Sequence, residues 1–107
     1  GGGGNTAANL AALSCQGYAC GMKGNDEVGA VLTSLMEQAG IDMSGMICAE
    51  HYHTTAKIRI LGARQQMMRL DYEEKKNPSP EECRFVLEWL ENLLARGLGV
   101  IVLSDYG

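Results

Sequence analysis

Two stretches of strict alternation, residues 55–61 and 68–73, constrain this chain more than any other feature. In the first, Ala56, Ile58 and Ile60 share one parity and Lys57 and Arg59 the other. In the second, Met68, Leu70 and Tyr72 alternate with Arg69, Asp71 and Glu73. A period of two sends successive side chains to opposite faces, so each stretch reads as a half-buried strand. The link Gly62-Ala63-Arg64-Gln65 is too short for a crossover, which leaves an antiparallel hairpin with one apolar and one polar face. Such a ribbon can lie over a core or a ligand while its other side faces water.

The segments on either side have helical and buried-strand patterns. A helix is expected over residues 5–14, followed by a buried strand at 18–22 between Gly17 and Gly24. Asp26 is placed to cap a second helix whose stripe is Val28, Val31, Leu32, Leu35, Met36 and Ala39, with Gly40 as its stop. A short strand is expected at 46–49. After the hairpin, Asn77-Pro78-Ser79-Pro80 breaks the chain. Ser79 with Glu82 forms a capping box, and Pro80 suits the first helical position. That helix carries Cys83, Val86, Leu87, Leu90, Leu93 and Leu94 on one face and ends at Arg96 and Gly97. Residues 100–103 read as a buried, parallel strand that delivers Ser104 and Asp105 at its carboxyl end.

This order is an α/β pattern in one partial domain: core βα units over 1–45, the hairpin over 46–74, and a return to core helix and strand over 75–107. Ligands in open α/β sheets collect beyond the carboxyl ends of the strands. Gly24-Asn25-Asp26 and Ser104-Asp105 fall there, and a parallel strand ahead of Gly1 would bring the opening glycines to the same edge. Three segments then line one cleft.

The 107 residues carry 9 basic and 13 acidic side chains, a net charge of −4, which argues against nucleic acid as a partner. No apolar run approaches the ~20 residues that span a bilayer, and no signal peptide is evident, so no membrane role and a cytoplasmic location are expected. Cys15, Cys20, Cys48 and Cys83 lack CxxC spacing and read as buried free thiols. His51 and His53 have a spacing that can chelate, but no carboxylate or cysteine pattern completes a metal site.

The opening segment has the layout of a small-molecule site. Residues 1–4 are glycines, which let a backbone approach a ligand closely. The helix start behind them offers unpaired N–H groups and the positive end of a dipole, and Asn5 adds both a donor and an acceptor. The full pattern Gly1-Gly2-Gly3-x-Asn5-x-Ala7, six residues, Ser14, nine residues, Gly24 resembles the first signature of the phosphofructokinase B / ribokinase family of carbohydrate kinases. Gly21-x-x-Gly24-x-Asp26, Gly40-Ile41-Asp42 and Thr54-Thr55-Ala56-Lys57 add to the likeness. Within the family, residues 57–74 and 102–107 resemble the heptose 7-phosphate kinase branch, a domain of the bifunctional ADP-heptose synthesis enzymes of lipopolysaccharide biosynthesis.

The resemblance implies a ribokinase-like fold, here truncated at both ends: an αβα core with a small antiparallel β lid, the hairpin forming most of the lid and serving as a homodimer contact. It implies that Gly2, Gly3 and Asn5 contact sugar hydroxyls. It further implies that Lys57, Arg64 and Gln65 on the lid reach the sugar or its phosphate, and that Asp105 lies at the edge of the phosphoryl-transfer site. The acceptor implied is the C1 hydroxyl of D-glycero-D-manno-heptose 7-phosphate, with ATP and Mg²⁺ in the full-length parent. The chain departs from the family pattern in three places. The early strand with a sugar-holding aspartate is absent, the GxGD signature with its base is absent, and the branch's usual lysine after the Ser-Asp-Tyr step is lost because Gly107 ends the chain. The 107 residues alone are therefore expected to be inactive. A kinase for another sugar or nucleoside, and a non-catalytic sugar-phosphate-binding or dimerisation module, remain open alternatives.

Overall fold

A computed structural model describes residues 2–63 and 65–105. Seven elements follow in order: α1 (Gly2–Ala12), β1 (Tyr18–Gly24), α2 (Glu27–Gln38), β2 (Asp42–Ala49), β3 (Ala56–Gly62), β4 (Gln65–Tyr72) and α3 (Pro80–Ala95). β1 and β2 form a parallel pair joined by α2, with Cys20 opposite Gly45 and Gly24 opposite Ala49. β3 and β4 form a separate antiparallel pair. The fold is thus mixed α/β, with three helices and two small sheets.

Local chemistry explains where the helices start and stop. Asp26 caps α2 by accepting the Gly29 amide at 2.7 Å. Ser79 and Glu82 form a reciprocal capping box at α3, with Pro80 at its first position. All three helices close with the same turn. A residue with positive φ follows the last turn, and the amide after it reaches five residues back: Cys15 to Leu10, Ile41 to Met36, and Leu98 to Leu93. Gly40 (φ 77°) and Gly97 (φ 93°) take that position without a Cβ penalty, and Ser14 takes it at φ 63°. The signature serine therefore terminates α1.

The core sits between the parallel pair and the two later helices. Met36, Ile41, Ala49 and Leu93 are its buried apolar members. Trp89 of α3 lies against Gly45 of β2, where an added Cβ would come within 2.7 Å of the indole, and its Nε1 donates to Ser44 Oγ at 3.0 Å. The hairpin packs extensively only on itself.

Several expectations are corrected. Gly2, Gly3 and Gly4 lie inside the first turns of α1 instead of forming a loop ahead of it, because nothing in a glycine forbids helical φ and ψ once the following residues are helical. Asn5 is consequently within the helix and exposed. The expected buried strand at 100–103 is an unpaired segment, with Val100 and Leu103 75% and 89% exposed, since it finds no strand to pair with among the described residues. The hairpin face of Ile58, Ile60, Met68 and Leu70 is exposed, where burial was expected, because no other element covers it. All four cysteines are free but exposed, not buried. Of the α3 stripe only Leu93 is buried, and of the α2 stripe only Met36. β2 starts at Asp42, four residues before the expected strand.

Candidate sugar site and its hinge

The first turn of α1 holds the glycines and Asn5 expected at the site. Its leading N–H groups have no partner within the helix, and no acidic side chain occupies that turn. The chain's last segment returns to it: a Cβ built on Gly3 would lie 3.9 Å from both Cβ and Oγ of Ser104. Two of the three segments expected to converge, the opening glycines and the Ser104-Asp105 step, are therefore adjacent. Asp105 is exposed and engaged in a contact of its own.

The third segment, Gly24-Asn25-Asp26, is organised around a different task. The Asp26 carboxylate accepts the Gly29 amide with Oδ1 and, at 2.8 Å, the Thr54 amide with Oδ2. The Thr54 hydroxyl in turn accepts the Gly24 amide at 2.9 Å. These bonds from Thr54, followed by that from Gly29, hold the Asp26 carboxyl below the ordinary carboxylate range. Thr54 is buried, and it sits two residues before β3. The knot is tight: a Cβ on Gly24 would meet the Tyr52 carbonyl and, at 2.5 Å, Asp26 Oδ2, while one on Gly29 would lie 2.8 Å from Thr54 Oγ1.

Lys57 is on the polar face of the hairpin, 2.7 Å from Glu73 and 4.0 Å from Asp71, so its ammonium is already engaged. Arg69 makes a forked pair with Asp71, whose carboxyl is held low chiefly by that bond. Gln65 is exposed at the start of β4, opposite Gly62. Arg64 lies outside the described residues, as do Gly1, Tyr106 and Gly107. The hairpin's two legs are joined at their base. Glu74 accepts the His53 amide at 3.2 Å, faces His53 Nδ1 at 3.3 Å and pairs with Lys76 at 3.0 Å, and Lys76 donates to the His51 carbonyl. His53 thus serves in a leg-to-leg bracket. The one feature the sequence reading under-weighted is Thr54. Its sequence signals are a small hydroxyl residue just ahead of the alternating stretch and its place in the Thr54-Thr55-Ala56-Lys57 run.

A glycine-started helix, a parallel β-α-β unit and a two-stranded ribbon tied to it through Thr54 together define an α/β domain with an appended β ribbon. The chain matches the pfkB family of carbohydrate kinases over residues 1–100, and it belongs to that family. It is 38% identical over all 107 residues to the Bifunctional protein HldE of Haemophilus influenzae (strain PittEE), covering 22% of that protein. It is 37% identical over 106 residues (99% of the chain, 22% of the relative) to the Bifunctional protein HldE of Citrifermentans bemidjiense. The chain therefore spans about a fifth of the length of these relatives. Among solved structures it resembles an uncharacterized sugar kinase, PH1459, from Pyrococcus horikoshii, with TM-score 0.59 and 23% identity, covering 68% of this chain and 24% of that one. That likeness shows the fold.

Proposed function

We propose that this chain is the sugar-binding front portion of an ATP-dependent kinase acting on a sugar phosphate, with D-glycero-D-manno-heptose 7-phosphate as acceptor through its C1 hydroxyl in ADP-heptose formation. The observation that carries the reading is the placement of Ser104 against Gly3. It assembles the two ends of the signature-bearing core at a helix N-terminus, where unpaired amides can meet sugar hydroxyls. Membership of the carbohydrate kinase family supports the reaction class, and the match of all 107 residues to 22% of an HldE protein supports the heptose branch.

In this reading Gly2, Gly3 and Asn5 orient the sugar, and Asp105 stands at the rim of the transfer site. The hairpin forms a flap, with Lys57, Arg64 and Gln65 as its polar contributors. Rate in such kinases comes from holding the acceptor hydroxyl in line with a phosphoryl group and from stabilising the charge that spreads over it. The chain contains no GxGD sequence to supply a base. Among its described residues no group of three His, Cys, Asp or Glu side chains is gathered to hold a metal ion. The chain's own contribution is to bind and orient the acceptor. The exposed apolar face of Ile58, Ile60, Met68 and Leu70 supports a homodimer formed through the hairpin.

Isothermal titration calorimetry of the chain with heptose 7-phosphate, ribose 5-phosphate and inorganic phosphate tests the proposal. Saturable binding of the heptose phosphate alone is expected, and equal or absent binding of all three defeats it. A coupled ADP-release assay should show no turnover by the chain alone.

A further inference from the structure

The knot at Asp26 does more than cap a helix. The hairpin packs extensively on no other element, so its stance relative to the core is set by the segments that lead into and out of it. The outgoing leg is tied through Glu74 and Lys76 to the incoming leg at His51 and His53. The incoming leg is tied to the core at Thr54, through Asp26 and Gly24. Gly24 and Gly29 leave no room for a Cβ around that tie, which shows a junction built for close approach of three backbones.

We infer that Asp26 is a positioning residue, whose second carboxylate oxygen, through Thr54, fixes the pivot on which the hairpin is carried. The inference rests on the reading of the hairpin as a flap over the sugar site, and it assigns Asp26 no contact with the ligand. The chemistry is specific to a carboxylate. Oδ1 and Oδ2 each accept an amide proton from a different segment, one from α2 and one from the leg of the flap. A serine can still accept from Gly29 as a cap, but it has no second oxygen to offer Thr54.

Asp26→Ser therefore separates the two roles. In the sugar-free chain, the Thr54 amide should exchange about tenfold or more faster in Asp26→Ser, while amides within α2 and within the β3–β4 pair keep their protection. Residual dipolar couplings should show the hairpin amides reoriented or averaged relative to those of α2, and Thr54→Ser, which keeps both bonds, should behave as the unaltered chain. Unchanged exchange at Thr54 and an unchanged hairpin orientation in Asp26→Ser overturn the inference. If Asp26→Ser instead loses α2, Asp26→Asn carries the test, because its carbonyl oxygen can keep the cap on Gly29 while its amide nitrogen offers the Thr54 amide no acceptor. A reoriented hairpin then supports the pivot, and a fixed one overturns it. These readouts need no sugar, so they stand or fall separately from the calorimetry.

Discussion

Thr54 binds the core through both of its polar groups: its amide donates to Asp26 and its hydroxyl accepts from Gly24, 30 residues earlier in the chain. Replacing it with valine keeps the shape but leaves the buried Gly24 amide without an acceptor. An unsatisfied buried donor costs about 1–3 kcal/mol. Thr54→Val should lower the unfolding free energy read from urea denaturation by about 1–3 kcal/mol, and Thr54→Ser should recover most of the loss. A valine variant as stable as the unaltered chain would show that water replaces the hydroxyl.

Gly3 offers a test that separates function from folding. Glycine within a helix is less favourable than alanine by about 1 kcal/mol. A Cβ at Gly3 meets Ser104 only at an ordinary contact distance of 3.9 Å. Gly3→Ala should therefore leave stability unchanged or raise it slightly, while weakening sugar-phosphate binding by about tenfold or more through the methyl group placed at the ligand's approach. Thermal melts and calorimetry on the same sample check both halves. Undiminished binding would remove Gly3 from the site.

The bracket at the base of the hairpin is expected to be acid-sensitive. Lys76, and then His53, hold the Glu74 carboxyl down to about 2 from its ordinary value of 4.5. A depressed folded-state value means that the carboxylate's contribution is fully present above the ordinary value and fades as the pH falls toward the folded one. Exchange of the His53 amide should rise as the solution is taken from about pH 4.5 down to about pH 2, beyond the intrinsic pH dependence of exchange. In Glu74→Gln that additional rise should vanish. An identical profile in both proteins would mean the bracket does not form in solution.

The apolar face of the hairpin should control association. Ile58 stands opposite Leu70 and Ile60 opposite Met68, and these four side chains are between 36% and 51% exposed. An uncovered strip of this kind favours burial against another surface. The double variant Ile58→Lys, Ile60→Glu should shift sedimentation from dimer to monomer with the core fluorescence of Trp89 unaltered. A monomeric parent chain would refute the dimer outright.

Much of the local structure was legible in the residues because it depends on near neighbours. The hairpin followed from parity, the α3 start from Ser79, Pro80 and Glu82, and the α2 bounds from Asp26 and Gly40; each appears in the structure. The signature spacing identified the family for the same reason, since it is a property of order along the chain. What failed was most of what concerned covering, with Met36 and Leu93 the exceptions. Residues 100–103 have the composition of a buried strand, yet a strand exists only where a partner offers hydrogen bonds. The faces of α2, α3 and the hairpin have the right period, yet period says which side is apolar and not what lies against it.

The sequence by itself determined the elements, their caps and the kinship to carbohydrate kinases, because helix signals, turn residues and motif spacing act within a few positions of one another. The approach of Ser104 to the opening glycines was expected from the order of the elements, whereas the tertiary structure alone decided that Asp26 reaches across 28 residues to Thr54. Such pairings depend on which surfaces meet when the β-α-β unit closes, and no local pattern encodes that meeting. Asp26 reads as an ordinary helix cap until its second oxygen is seen holding the leg of the hairpin.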